Sequence, residues 1–223
     1  MPRTGGAVVV EAAFVVDCSG RRSLVARRQG ARRQRIDRLV ACAALFAADA
    51  DDLDATTLVE STQDGWWYTA RLPDATRIVM FMTDGDLPGR RVTRVPAAFM
   101  AALATTAHVG RAASAPQRRL QIPPWVVAAD TGRLDRVGGD GWIAAGDAAA
   151  TFDPVSSQGI MTALRLGQLA AEVALGAHAA AYAATVDALF DRYLAARAAV
   201  YAQERRFPQA PFWARRQRAA ARA

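Results

Sequence analysis

Twenty residues near the end of the second third of the chain constrain the fold more than any others: Gly141-Trp142-Ile143-Ala144-Ala145-Gly146-Asp147-Ala148-Ala149-Ala150-Thr151-Phe152-Asp153-Pro154-Val155-Ser156-Ser157-Gln158-Gly159-Ile160. A short apolar run reads as a buried strand, a carboxylate follows at its end, a proline stiffens the next loop, and a glycine opens a helix. Small residues at 148–150 let the backbone approach a ligand closely. Asp147, at the carboxyl end of the strand, can accept hydrogen bonds from a sugar-like hydroxyl. Unpaired N–H groups around Gly159 and Ile160, helped by the helix dipole, can stabilise negative charge on an electron-rich ring. The structural alternative makes Asp147 a helix N-cap and Gly159 an ordinary turn residue.

The rest of the chain supplies strands and helices around that stretch. Residues 7–10 and 14–16 read as two short strands, the second running into Asp17-Cys18-Ser19-Gly20, a tight turn. Residues 21–38 are dense in arginine and suit a surface helix or loop. Residues 39–47 are apolar and, between polar clusters, read as a strand. Residues 57–62, 66–72 and 77–83 are β-prone segments separated by Gln63-Asp64-Gly65, Pro73-Asp74 and Asp84-Gly85 turns, which predicts an antiparallel meander. Period-two alternation puts Trp66, Tyr68 and Ala70 on one face, and Trp67, Thr69 and Arg71 on the other. Pro96 opens a helix over 96–108 with Phe99, Met100 and Leu103 on one side. Residues 114–124 read as irregular, 125–129 as a strand and 133–141 as a turn-rich connection. Two long helices follow, over 160–175 and 179–205, the second stopped by Pro208, and an arginine-rich tail carrying Arg215, Arg216, Arg218 and Arg222 reads as solvated. From the residues alone the class is α+β or α/β.

Composition narrows the partners. Of 223 residues, 28 are basic, all of them arginine, and the formal net charge is +7. With no lysine or asparagine and abundant alanine, this looks like a compositional bias toward Ala and Arg, so a nucleic-acid partner is not expected. Two cysteines, Cys18 and Cys42, make no disulfide framework, and Cys18 reads as a packing residue. No signal-peptide pattern or membrane-length apolar run is present, so the expectation is a cytoplasmic chain with no membrane partner. His108 and His178 have no ligand-spaced partners, so no metal is expected. Ser156 and Ser157 lack a nucleophile elbow.

The segment Gly146-Asp147-Ala148-Ala149 followed by Asp153-Pro154-Val155-Ser156-Ser157-Gln158-Gly159-Ile160 resembles the second flavin-binding motif of the FAD-dependent monooxygenase and halogenase superfamily, with the para-hydroxybenzoate hydroxylase fold. The Asp-Pro, Ser-Ser and Gly-Ile elements resemble its tryptophan-halogenase-like branch. Val16-Asp17-Cys18-Ser19-Gly20-Arg21-Arg22-Ser23 is similar to the V-D-A-T-G-R-x-S segment of that superfamily. The resemblance implies FAD as cofactor, with Asp147 on the ribityl chain, residues 153–160 along the isoalloxazine and residues 16–23 near the phosphates. The cofactor-binding set it implies is Asp17, Gly20, Gly146, Asp147, Ala148, Pro154, Gly159 and Ile160. The aromatic meander corresponds to the superfamily's substrate-side sheet, with Trp66, Tyr68, Met80 and Met82 lining the substrate pocket.

The resemblance also implies an architecture: a partial Rossmann-like FAD-binding layer from residues 1–35 and 125–180, an antiparallel substrate sheet from 36–124, and C-terminal helices with the tail from 181–223. No G-x-G-x-x-G follows a strand in the sequence, so the chain resembles the C-terminal two-thirds of such a flavoprotein, N-terminally truncated. The activity implied is oxygenation or halogenation of a small organic substrate through a flavin hydroperoxide, with NAD(P)H or a flavin reductase as electron source. The W-x-W-x-I-P signature of the halogenase branch is echoed by Trp66-Trp67-Tyr68, and the lysine that halogenation requires lies in the branch's N-terminal part. No acid or base is nominated. The alternative is a non-catalytic remnant or subunit that binds a partner or small ligand in the same groove.

Overall fold

The computed structural model describes residues 9–47, 51, 53–93, 95–113 and 119–220. In chain order the strands are β1 (Val15–Asp17), β2 (Arg33–Arg35), β3 (Leu39–Phe46), β4 (Leu58–Thr62), β5 (Gly65–Arg71), β6 (Arg77–Asp84), β7 (Leu120–Ala128), β8 (Gly132–Leu134), β9 (Gly138–Gly139), β10 (Trp142–Ala144) and β11 (Ala150–Thr151). The helices are α1 (Leu24–Arg28), α2 (Pro96–Ala104), α3 (Val109–Ala113), α4 (Gly159–Ala174), α5 (Ala179–Tyr201) and α6 (Pro211–Ala220).

Sequence-distant segments build the layer that carries the motif. β1 pairs with β10 in parallel, Val16 opposite Ile143, and β9 completes that sheet on the far side. A second small sheet, ordered β11-β8-β2, joins the strand after the motif to the arginine-rich segment. Alanines at 144, 145, 148, 149 and 150 pack with Ile143, Leu166, Ala170 and the apolar stripe of α5. Residues without bulky side chains let the turn, α4 and α5 approach closely.

The antiparallel sheet runs β4-β5-β6-β3-β7. β3 reads as almost continuously apolar because both of its faces are covered. Trp67, Phe81, Phe99 and Leu103 close one face under α2 and α3, with the Trp67 ring 4.7 Å from Phe81 and 5.1 Å from Phe99. Burying each of these large side chains contributes about 1.5–3 kcal/mol. Trp66, Met82, Tyr201, Phe212 and Trp213 close the other face under the end of α5 and α6. Two adjacent tryptophans therefore seed two separate cores, as the alternation predicted. Glu60 on β4 accepts hydrogen bonds from the N–H groups of Ala107, His108 and Val109 and so caps α3.

Several expectations are corrected. Residues 120–124 are strand, not irregular: β7 lies at the sheet edge, where Pro123 and Pro124 can be accommodated, and its register slips between Ala43 and Phe46 of β3. Met100 is exposed while Phe99 and Leu103 are buried, because α2 ends at Ala104 and only two of its positions reach the sheet. α5 ends at Tyr201, before Pro208. Val9 and Val10 are exposed and in no strand, while the rest of the first strand expected there, and residues 114–118, lie outside the described residues.

The tail is the largest correction. It forms α6, which buries Phe212, Trp213 and Arg216. Arg216 makes a two-pronged ion pair with Asp84, Nη2 to Oδ1 at 2.7 Å and Nη1 to Oδ2 at 3.2 Å, and lies over the Phe212 ring at 3.6 Å. Arg215 reaches Asp84 and Asp86. The side chains of Arg218 and Arg222 lie outside the described residues.

Candidate functional site

The site grows from the turn at Gly146–Ala148, between β10 and β11. Gly146 has φ +56, and a Cβ there would lie 3.2 Å from the Cβ of Ala163 on α4. Both the left-handed backbone and the tight approach to the helix call for glycine. The far side of the turn is held by two polar side chains. Arg33 Nη2 donates to the carbonyls of Asp147 at 2.7 Å and Ala148 at 3.1 Å, and Ser23 Oγ donates to the Ala148 carbonyl at 2.8 Å. Burial lowers the Arg33 guanidinium below its ordinary value, with Asp130 and Asp147 opposing that shift.

With its carbonyls tied down, the turn presents the Asp147 carboxylate outward, 40% exposed, with Arg21 Nε at 3.7 Å from Oδ2. It caps no helix: the turn has no side-chain cap hydrogen bond. Arg21 Nη1 is meanwhile bonded to the carbonyl of Asp130 at 2.7 Å, which fixes where its positive charge stands.

Asp17 lies under the neighbouring turn and is 2% exposed. Its Oδ1 accepts from the Ser19 N–H at 2.9 Å and hydroxyl at 2.6 Å, and its Oδ2 from the N–H groups of Val25 and Ala26, both at 2.9 Å. Burial pushes this carboxyl up, but the hydrogen bonds from Ser19, Ala26 and Val25 outweigh it and leave it below the usual carboxylate value. Asp17 therefore shapes the turn and caps α1, and Gly20, at φ +65, is the part of this segment with open space before it.

Beyond β11 the chain passes through a buried anchor, Asp153, into Pro154, Ser157 and Gln158, which are exposed, and then α4. Asp153 Oδ1 accepts from the Val155 N–H at 3.0 Å, and Ser157 takes the left-handed conformation at φ 52. No side chain caps the start of α4, so the N–H groups of its first turn face outward at Gly159 and Ile160.

These parts meet in a cleft of about 490 Å³ lined by Cys18, Gly20, Gly146, Asp147, Ile160, Ala163, Leu164 and Gly167. A Cβ added at Gly20, Gly159 or Gly167 would meet nothing within 4 Å. Ile160 is 80% exposed and Leu164 66%, so the helix side of the cleft is apolar. A larger cleft of about 890 Å³ lies beside it, lined by Arg35, Arg38, Arg90, Asp86 and Asp130, and its charges are largely committed to ion pairs such as Arg38–Asp86 and Arg35–Asp130. Arg21, bonded to Asp130 and beside Asp147, stands between the two.

Of the cofactor-binding set, Gly20, Gly146, Asp147 and Ile160 line one cleft, and Gly159 precedes Ile160 at the start of α4. Asp17 supports it from beneath. Ala148 turns its methyl into the core, fully buried, so small residues at 148–150 serve helix packing instead of ligand approach. Pro154 is exposed one turn away. Trp66, Tyr68, Met80 and Met82 do share a face, but α6 and the end of α5 cover it; Trp66 and Met82 are buried and Tyr68 and Met80 half-buried. Cys18 is exposed on the cleft wall, not packed. Sequence reasoning placed Arg21 only within the segment 16–23 near the phosphates, and missed Arg33 and the α5 side chains Tyr193, Arg197 and Tyr201. The last three recur every four residues on one helix face, which was a readable signal. Among the described residues no His, Cys, Asp and Glu cluster could hold a metal, and no helix is long and apolar enough to cross a membrane.

A partial parallel layer whose strand end, glycine turn and helix start converge on one cleft, joined to an antiparallel sheet, is the layout of a nucleotide-cofactor oxidoreductase. Residues 3–222 match the sequence model of the tryptophan halogenase family, and the chain belongs to that family. FAD-dependent oxidoreductase LodB of Marinomonas mediterranea is 27% identical over 206 residues, 91% of this chain and 56% of its own length. The flavin-dependent halogenase CmlS superposes with a TM-score of 0.74 at 23% identity, over 99% of this chain and 44% of that one. The peptidyl tryptophan dihydroxylase QhpG superposes at 0.66 with 26% identity, over 82% of this chain and 44% of that one. The chain thus spans about half the length of the relatives it matches.

Proposed function

We propose that this chain contributes the isoalloxazine and ribityl half of an FAD site in an oxidoreductase that oxygenates or halogenates a small organic substrate. The observation that carries it is the convergence of an outward Asp147 carboxylate, two glycines with open space before them and an uncapped helix N-terminus on one apolar cleft. Flavin chemistry asks for that donor set: an acceptor for the polyol hydroxyls, N–H groups for an electron-rich ring and apolar walls to keep water away.

Bound and reduced, the flavin would supply the activation of O2. The residues do the rest. Asp147 Oδ1 and Oδ2 accept from ribityl hydroxyls, while Arg21 Nε, 3.7 Å from Oδ2, orients the carboxylate. The N–H groups of Gly159 and Ile160 stabilise negative charge on the ring. Ile160 and Leu164 exclude water, and Gly20 lets the cofactor lie close to the backbone. Electrons come from NAD(P)H or a flavin reductase.

The test is direct. FAD added to the purified chain is expected to show a perturbed visible spectrum and quenched fluorescence, and Asp147→Ala to bind about tenfold more weakly, from loss of a charge-assisted hydrogen bond. An unperturbed flavin spectrum with the wild-type chain defeats the proposal and favours a partner-binding role for the exposed Ile160, Met161 and Leu164.

A further inference from the structure

Asp153 is fully buried, and a buried carboxylate survives only if its partners are fixed. Its partners come from one face of α5. Arg197 Nε donates to Oδ2 at 3.1 Å and the Tyr201 hydroxyl to the same oxygen at 2.8 Å, while the Asp153 N–H donates to the Tyr193 hydroxyl at 2.8 Å. Arg197 has a second hold: Nη2 donates to Asp37 Oδ2 at 2.7 Å, where β3 begins. Tyr201 likewise accepts from Trp66 Nε1 at 3.0 Å, in the middle of the antiparallel sheet. Burial lowers the Arg197 guanidinium, but Asp37 and Asp153 outweigh it and raise it. Burial, then the Asp153 charge, raises the Tyr201 hydroxyl, so it remains a donor at neutral pH.

Asp153 in turn holds the residues that follow it. The Val155 N–H bonds Asp153 Oδ1, and the Ser156 N–H and hydroxyl both bond the Asp153 carbonyl, at 3.1 and 2.9 Å. Among the described residues, the hydrogen bonds that Val155 and Ser156 donate therefore all end on one residue, whose carboxylate is placed by α5, while the Val155 side chain packs against the cluster around Trp66 and Tyr201.

We propose that Arg197 and Tyr201 are positioning residues, which act through Asp153 to set the turn at 154–158 and so the aim of the Gly159 and Ile160 N–H groups at the flavin, and which tie that turn to Asp37 and Trp66 of the antiparallel sheet. This rests on the flavin reading above. It also explains why the buried stripe of α5, which starts with Tyr182, Val186 and Phe190, ends on Tyr193, Arg197 and Tyr201.

The test uses the full chain and three variants. Tyr201→Phe removes the hydroxyl and keeps the ring against Phe212 and Trp213. Arg197→Lys keeps a charge but cannot span Asp37 and Asp153 together, and Arg197→Met removes it. Amide hydrogen exchange without flavin is read first. In Tyr201→Phe the amides of Val155, Ser156 and Ser157 are expected to exchange about tenfold faster or more, against less than about twofold at Leu166 and Ala170 inside α4. Uniform acceleration, or none, overturns the proposal, since a merely stabilising contact loosens the whole chain alike. With FAD added, the absorbance band of the bound flavin is expected to shift in Tyr201→Phe and Arg197→Met and to be partly restored in Arg197→Lys; a wild-type band in all three overturns it as well. If wild-type protein leaves the flavin spectrum unperturbed, the flavin reading fails, and the exchange pattern alone decides whether these residues set the turn.

Discussion

Gly167 offers a test in which stability and ligand binding move in opposite directions. It lies inside α4, lines the cleft beside Leu164, and a Cβ there meets nothing within 4 Å. An interior helical glycine is about 0.5–1 kcal/mol less favourable than alanine. Gly167→Ala should therefore stabilise the chain by that amount, which for a chain of this size raises Tm by about 1–4 °C. Gly167→Leu should also fold, but its side chain projects into a cleft of about 490 Å³ where the proposed cofactor lies. FAD affinity is expected to fall about tenfold in Gly167→Leu, equivalent to about 1.4 kcal/mol, with a smaller loss in Gly167→Ala. Thermal melts by circular dichroism and fluorescence-quench titration with FAD read the two quantities separately. If Gly167→Leu binds FAD within about twofold of wild type, the cleft is not the cofactor site. If both variants melt earlier than wild type, the space before Gly167 is not open.

Three further outcomes follow from the packing and the charges. Gly146→Ala places a methyl in a left-handed backbone against Ala163; that conformation costs roughly 1–2 kcal/mol, and lower unfolded-state entropy returns part of it. A net loss of about 1 kcal/mol is expected in urea unfolding, with no loss in Gly159→Ala. Arg216→Met leaves the buried Asp84 carboxylate with Arg215 as its charged partner and should cost about 2–3 kcal/mol, less than the roughly 3–5 kcal/mol of a fully stranded buried charge, an effect that added salt should not reproduce in wild type. Acid stability should depend on Asp17 and Glu204. Hydrogen bonds hold Asp17 below its ordinary value, and the hydrogen bond from Arg206 holds Glu204 down to about 2. Both therefore contribute stability above their unfolded values near pH 4, and lose it as pH falls through the folded values. Glu204→Gln should flatten the pH dependence of Tm between about pH 4.5 and 2, and an unchanged slope refutes the assignment.

Much of the fold was legible locally. The meander, the alternation that separates Trp66 from Trp67, and the strand–turn–glycine–helix order at 142–160 are all properties of neighbours in sequence, because backbone period and turn chemistry act over a few residues. So was the place of Asp147 at the end of a strand, where its carboxylate stands 40% exposed.

What covers each face was not legible. Ala148 resembles a residue kept small for a ligand, and only its contact with the packed helices shows that it is small for the core. The arginine-rich end reads as solvated until α6 lays Arg216 over Phe212 and against Asp84, more than a hundred residues away. Arg33 looks like any of the 28 arginines in the sequence, yet it holds the carbonyls of the motif turn, and the spacing of Arg197 from Tyr193 and Tyr201 marks a helix face without naming Asp153 as its partner. The sequence by itself determined which elements form, which residues share a face and which stretch could receive a polar cofactor. Only the tertiary structure decided what each buried arginine holds, because the partner of a buried charge is set by the segment folded against it, which spacing along the chain does not name.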